Sequence, residues 1–200
     1  MIDAAVEEIR SGRPVVLPTD TVYGLCANPY RERPVRELYR LKGRPLDQPI
    51  ALLAHDVAFL FECVPEVLGR VGTLVRTLLP GPYTLIVPNP AHRYRWLTGP
   101  TPDKIGVRVP ELAGPGAEVL ERVGAVAATS ANVHGGPDPR RVEDVPVEIR
   151  ASAAAVVDAG ELPGTPSTVL DLTGPEPKVL REGAVPATEA LERALAATAR

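Results

Sequence analysis

Cysteine, histidine, aromatic residues and long apolar runs are all scarce in this chain, and each scarcity removes a class of function. The two cysteines, Cys26 and Cys63, stand far apart without CxxC spacing. They form neither a disulfide framework nor a zinc pattern. His55, His92 and His134 have no HExxH or paired spacing, so no protein-built metal site is expected. Aromatics make up 4% of 200 residues and the formal net charge is -3. That balance argues against a protein that coats nucleic acid, although a cleft can still be locally basic. No segment reaches the roughly 18 apolar residues of a membrane span, and no basic-then-apolar leader opens the chain. The expectation is a soluble, cytoplasmic protein with no membrane partner. The familiar nucleotide and acyl-transfer signatures are missing too. There is no GxxxxGK[ST] loop and no GxSxG elbow, and "GPGAEV" (Gly114 to Val119) has two of the three glycines of a dinucleotide fingerprint. It reads as a turn into a helix.

What is present suffices for one sizeable core. With 44% hydrophobic residues in 200, a single domain over residues 1–200 is expected. Helical and strand periods alternate. Ile2, Ala5, Val6 and Ile9 recur at helical spacing before Gly12, which predicts a helix over 2–11. "PVVLP" follows as a strand. Pro34 opens a helix that carries Val35, Leu38 and Leu41 inward and stops at Gly43. "PIALLA" is a short buried strand, and helices are predicted over 56–62 and 65–79, the second with Leu68, Val71, Val75 and Leu78 on one face. "YTLIVP", "IGVRVP", "AVAATSAN", "AAVVD", "TVLDL" and "KVLRE" read as strands, with helices near 116–122, 142–150 and 187–198. The strands at 168–172 and 178–181, joined through "TGPEP", form a predicted hairpin. The class is α/β with a mixed sheet flanked by helices.

Polar residues gather at strand ends in five clusters. They are Thr19, Asp20, Thr21 and Tyr23; Lys42, Gly43 and Arg44; Arg108; Thr129, Ser130 and Asn132; and Ser167 with Thr168, near Arg181 in sequence. Ligands of open α/β sheets sit at the carboxyl ends of strands, so these clusters are candidates to share one cleft. Their chemistry agrees: cations neutralise phosphate or carboxylate, while hydroxyls and an amide give directional bonds. Each cluster also has a plain structural use, as a turn, a helix cap or a strand pair.

Seven stretches, in this order, resemble the YrdC-like threonylcarbamoyl-AMP synthases, the TsaC family: "PTDTVYGL", "KGRP" followed by "PIALL", "GPYTLIV", "VRVP", "ATSAN", "PSTVLD" and "REGAV". The resemblance runs from about residue 14 to 186. It implies a twisted, open mixed sheet around a deep cationic cleft, and a reaction in which L-threonine, bicarbonate and ATP, the last with Mg2+, give threonylcarbamoyl-AMP and pyrophosphate. It also implies that downstream tRNA-modifying threonylcarbamoyl transferase machinery uses the product to make N6-threonylcarbamoyladenosine, with direct tRNA binding left open. Carried onto this chain, it puts Lys42 and Arg44 near the triphosphate as the catalytic cations. Ser130, Asn132 and Arg181 fall on ATP, and Gln48, Lys104 and Asp138 occupy further ATP-side positions. Arg108 falls on the threonine carboxylate, Thr21 and Ser167 on its hydroxyl or amine side, and Tyr23 along that wall.

Several positions depart from the family's habits. Gln48 stands where Lys or Asn is common, Leu53 where some relatives have histidine, Lys104 where Ser or Thr is common, and Asp138 where Ser is common. Leu53 cannot replace a histidine contact, and Asp138 repels phosphate unless magnesium intervenes. The chain reads as the short form, without the extra carboxy-terminal domain of longer relatives. Two other readings come from different classes. One is a carbamoyltransferase-type relative, normally part of longer chains with acylphosphatase and zinc-binding parts. The other is a non-catalytic RNA-binding or ribosome-associated factor, whose binding would be steeply salt-dependent.

Overall fold

Helix α1 (Ile2–Ser11) forms where the apolar spacing predicts it, burying Ala5, Val6 and Ile9. It stops at Gly12, whose φ of 89° lets the Gly12 and Arg13 amides turn back onto the Ile9 and Glu8 carbonyls. The computed structural model describes residues 1–198. Strand β1 (Val15–Pro18) is the expected one, but "PTDTVYGL" is not its continuation. The chain reverses at residues 19–22 and returns as β2 (Tyr23–Ala27), antiparallel to β1, with Leu17 opposite Gly24. Thr19 causes the reversal. Its hydroxyl donates to the Val22 carbonyl at 2.7 Å and accepts from the Thr21 and Val22 amides at 3.2 Å, a side-chain-closed turn.

Helix α2 (Glu32–Lys42) ends at left-handed Gly43, with φ 63°. Strand β3 (Ala51–Ala54) and helix α3 (Val57–Cys63) follow, the latter capped by the Asp56 carboxylate on the Phe59 amide. Helix α4 (Gly69–Leu78) starts four residues later than its periodicity predicts. Leu68, expected inside, is 73% exposed, because Pro65 and Glu66 lie in a turn rather than in the helix. Strands β4 (Tyr83–Pro88) and β5 (Lys104–Arg108), helix α5 (Pro115–Val123) and strand β6 (Ala125–Ser130) come next. The helix predicted at 142–150 is two pieces, a 3-10 turn at Val142–Asp144 and α6 (Val147–Ser152). Pro146 divides them by holding Val145 extended. Strands β7 (Ala155–Val156), β8 (Thr168–Asp171) and β9 (Lys178–Arg181), then helix α7 (Ala187–Thr198), complete the order. The β8–β9 hairpin forms as expected.

The nine strands of the described residues join one mixed sheet in the order β7-β1-β2-β6-β3-β5-β4-β8-β9. Strand alternation sorts side chains to its two faces. Leu25, Leu52, Leu85, Val107 and Ala127 meet α2, α3, α4, α6 and α7 in the larger core. Leu17, Cys26, Leu53 and Val126 meet α1 and α5 in a smaller one. Both cysteines are buried and unpaired, and burial pushes the Cys26 thiol up to about 12. Among the described residues, no helix is long and apolar enough to cross a membrane.

Candidate active site

Helices α1 and α5 leave part of their sheet face uncovered, and a cavity of about 330 Å³ occupies that part. Its floor is made of small side chains from neighbouring strands: Gly24 on β2, Ala128 on β6, Ala51 on β3 and Gly106 on β5. Ala51 and Ala128 are paired directly across β3 and β6. The cavity therefore lies over the sheet face, not beyond the carboxyl ends of the strands as expected. Antiparallel neighbours such as β1 and β2 send their carboxyl ends to opposite edges, so this sheet has no common carboxyl end.

Each of the five sequence clusters sends at least one residue to the cavity, and most send only part of their members. Thr19 and Thr21, Arg44, Arg108, Thr129 and Ser130, and Ser167 with Arg181 all line it, as does Asp138. Arg108 reaches it from the end of β5. Its Nη2 donates to Asp20 Oδ1 at 2.7 Å and to Thr21 Oγ1 at 3.3 Å, while its Nε is buried without an acceptor among the described residues. Burial pushes the Arg108 guanidinium below its ordinary value, with Asp20 acting against that shift. Arg181 donates to the Ser167 carbonyl at 2.7 Å and to Ser167 Oγ at 3.3 Å. Arg44 donates to the Gln48 and Pro49 carbonyls. Burial first, and Arg181 in addition, lower its pKa.

Proton accounting defines what Thr21 can offer. The Thr19 hydroxyl proton is committed to the Val22 carbonyl and its lone pairs to the Thr21 and Val22 amides, so the 3.1 Å contact between the two hydroxyls does not claim the Thr21 proton. With Arg108 donating to it, the Thr21 hydroxyl keeps a lone pair and its proton for a ligand, which suits an ammonium, a hydroxyl or a carboxylate. Ser167 Oγ lies 2.8 Å from Thr84 Oγ1, and either can donate.

Five expected residues lie elsewhere. Lys42, expected at the triphosphate, is 3% exposed and does not line the cavity. Its ammonium donates to the Ser130 carbonyl at 2.7 Å, the Asn132 carbonyl at 3.1 Å, Ser130 Oγ and Asn132 Oδ1. Desolvation, with Arg44 in addition and Asp138 opposing, pushes its pKa down to about 8. Asn132 is buried too, and its amide group donates to the Gly136 carbonyl. Tyr23, expected along the amino-acid wall, points to the opposite face. There its hydroxyl shares a proton between Asp158 Oδ1 and the Gly160 carbonyl and accepts from the Ala159 amide. Lys104 is at the far end of β5 from Arg108, where it pairs with Asp171 at 3.0 Å. Gln48 reaches His134, with its side-chain nitrogen 3.3 Å from the ring. Leu53 packs in the smaller core.

Thr84, Gly24 and Gly106 went unnoticed in the sequence. A usable signal was there: a glycine inside a strand marks a close approach of backbone or ligand, and both glycines interrupt apolar strands. Among the described residues, no three His, Cys, Asp or Glu side chains come together as a metal site.

Comparison with known proteins identifies the family to which this fold belongs. A family model for Sua5–YciO–YrdC proteins, described as Telomere recombination, matches residues 7–183. A Pyrococcus abyssi protein named threonylcarbamoyl-AMP synthase is 36% identical over 90% of this chain, which spans 53% of that relative. A Mycobacterium tuberculosis protein named putative threonylcarbamoyl-AMP synthase is 35% identical, over 92% of this chain and 84% of its own length. The crystal structure of Pyrococcus abyssi Sua5 complexed with L-threonine superposes with a TM-score of 0.87 at 34% identity, covering 96% of this chain and 56% of that one. This chain thus spans about half the length of the Pyrococcus protein. With most of its length matched by the model and by relatives above 30% identity, the chain belongs to the Sua5–YciO–YrdC family.

Proposed function

We propose that the protein is an L-threonylcarbamoyladenylate synthase, converting L-threonine, bicarbonate and ATP into threonylcarbamoyl-AMP and pyrophosphate. The observation that carries this reading is the Arg108 corner. A nearly buried guanidinium, with a side chain 12% exposed, lacks an acceptor at Nε among the described residues and stands beside the Thr21 hydroxyl. That pair matches the carboxylate and the amine or hydroxyl of an amino acid.

In this reading Arg108 takes the threonine carboxylate, and Thr21 and Ser167 take the amine or hydroxyl side. The threonine amine attacks the bicarbonate carbon, forming an N–C bond and releasing water, to give a carbamate. A carbamate oxygen then attacks the α-phosphorus of ATP, and the bond from that phosphorus to the β-phosphate oxygen breaks to release pyrophosphate. Two anions must meet, so positive charge and positioning supply the catalysis. Arg44 and Arg181 also line the cavity and serve the phosphates. Ser130 lies on the ATP side, and Lys42 and Asn132 act behind it by fixing that strand end. Magnesium fits as an ion carried by the triphosphate, since Asp138 is the one carboxylate among the described residues lining the cavity and Mg2+ commonly keeps phosphate and water ligands. Bound there, it neutralises phosphate charge.

The product, a mixed anhydride, suits the threonylcarbamoyl transferase machinery that makes N6-threonylcarbamoyladenosine in tRNA. The test is a pyrophosphate-release assay. Release should require ATP, threonine and bicarbonate together, and equal release in degassed, bicarbonate-free buffer would sink the synthase reading in favour of a plain ATPase.

A further inference from the structure

Asp20 has no part in the chemistry proposed above, yet the Thr19 turn aims it at the most important arginine. Its Oδ1 accepts from Arg108 Nη2 at 2.7 Å and its Oδ2 from the Glu111 amide at 3.3 Å. The two side chains are 12% and 7% exposed. A pair this buried is weak support for folding, because desolvation offsets the Coulomb gain. Burial raises the Asp20 carboxyl above its ordinary value even with Arg108 beside it. Nor does the pair satisfy the arginine. Asp20 and Thr21 engage Nη2, Nε is buried without an acceptor, and Nη1 has no acceptor among the described residues. The guanidinium is gripped at one corner while the side chain that carries it lines the cavity.

We propose that Asp20 is a positioning residue for amino-acid capture, fixing the Arg108 guanidinium so that its remaining donors meet the ligand carboxylate. Holding the long side chain in one rotamer before the ligand arrives removes an ordering cost from binding. The Glu111 amide and the closed Thr19 turn hold Asp20 in turn, so the grip passes from backbone to carboxylate to arginine. This inference rests on the amino-acid reading of the cavity.

The experiment is titration calorimetry of L-threonine and, separately, of ATP, with wild type, Asp20→Ala, Asp20→Asn and Arg108→Ala. Steady-state KM values for both substrates and melting temperatures accompany it. Asp20→Ala should weaken threonine binding roughly tenfold, the scale of freezing one long side chain, and raise the KM for threonine while leaving that for ATP within about twofold. Asp20→Asn keeps an acceptor oxygen for Nη2 and should lose only roughly threefold, so the conservative variant partly rescues capture. If Asp20→Ala fails to fold, the nearly isosteric Asp20→Asn carries the test alone. Wild-type threonine affinity in a folded Asp20 variant overturns the inference, as does equal weakening of ATP and threonine, the mark of a structural role. If Arg108→Ala loses threonine binding while both Asp20 variants keep it, the amino-acid reading stands and this inference alone falls. Failure of wild type to bind threonine would overturn both.

Discussion

Replacing Lys42 with methionine removes the ammonium and keeps much of the stem. The KGR sequence alone predicts a solvent-facing cation whose loss leaves folding intact. The structure predicts the reverse, because the Lys42 ammonium donates to the Ser130 and Asn132 carbonyls and to Asn132 Oδ1 from a site 3% exposed. An acceptor left buried and unpaired costs about 1–3 kcal/mol. With some of the three relaxing toward water, and with the lysine's own desolvation removed, a net loss on the order of 3 kcal/mol follows. In a chain of this size that is roughly 6–12 °C of melting temperature. The pH dependence carries a sign of its own. The folded protein releases the Lys42 proton near pH 8, whereas an unperturbed lysine keeps it to 10.5. Between those values the unfolded state binds more protons, so wild-type stability rises with pH relative to Lys42→Met. The shift corresponds to a gain on the order of 3 kcal/mol across the window. Urea unfolding followed by circular dichroism at pH 7.5, 9 and 10.5 measures both effects. Other titrating groups are common to the two proteins and cancel in the difference. Equal stability at pH 7.5 would refute the bracing role, and a gap that narrows with rising pH would refute the buried-lysine argument.

Arg44→Ala should keep nearly wild-type melting while ATP use falls roughly 10- to 1000-fold, the scale of a charge-assisted contact in a partly dry cleft; nucleotide titration beside a melt checks it, and a large melting loss with intact ATP affinity would count against it. Gly106→Val should fold, since a Cβ there meets Ile86 Cδ1 at 3.4 Å and Thr84 Cγ2 at 3.6 Å, ordinary contact distances, and β-branched residues suit strands. Its methyls fill the cavity floor, so turnover should fall at least about 100-fold, measured by pyrophosphate release. Serine lacks one methyl of threonine, worth about 0.8 kcal/mol or somewhat more, and should be a poor but detectable substrate. Valine should be rejected more strongly, because it leaves the Thr21 or Ser167 oxygen unpaired at about 1–3 kcal/mol; faster turnover of valine than serine would refute the hydroxyl assignment.

The sequence made the elements legible wherever periodicity and punctuation agreed, as in α1 with Gly12, α2 with Gly43 and the β8–β9 hairpin. It misled where one residue carried the geometry. Thr19 turns the chain by closing a ring of hydrogen bonds that no apolar pattern reports, so the sequence predicts no separate strand at Tyr23–Ala27. With that reversal hidden, the face to which Tyr23 points could not be assigned. Pro146 splits a predicted helix for the reason any proline can, and here the split could have been read. Residue types at the site were legible because Thr, Ser and Arg at strand ends have few structural uses in common. Their partners were not. Lys42 and Arg44 are two residues apart, yet α2 ends between them at Gly43, and that turn sends the lysine into the protein and the arginine to the cavity. Lys104 and Arg108 share a strand face, but four residues span about 13 Å, which leaves Lys104 nearer Asp171 than any cavity ligand.

An uncovered sheet face is a liability unless its residues suit exposure, and this one is built so that the liability is small. Gly24, Ala51, Gly106 and Ala128 present little apolar surface, and the rim above them carries hydroxyls and guanidinium groups. The charges do not balance, however. Arg181 disfavours the charged forms of both Arg44 and Arg108, and Asp138 is the one carboxylate among the described residues in the cavity lining, with Asp20 held behind Arg108. Repulsion among cations held by carboxylate, backbone and hydroxyl partners cannot relax by moving them apart. An anionic ligand relieves it, and anything that binds the folded state alone stabilises that state by mass action. The same charges that weaken the empty protein therefore contribute to affinity once phosphate and carboxylate arrive in the cavity that all three arginines line.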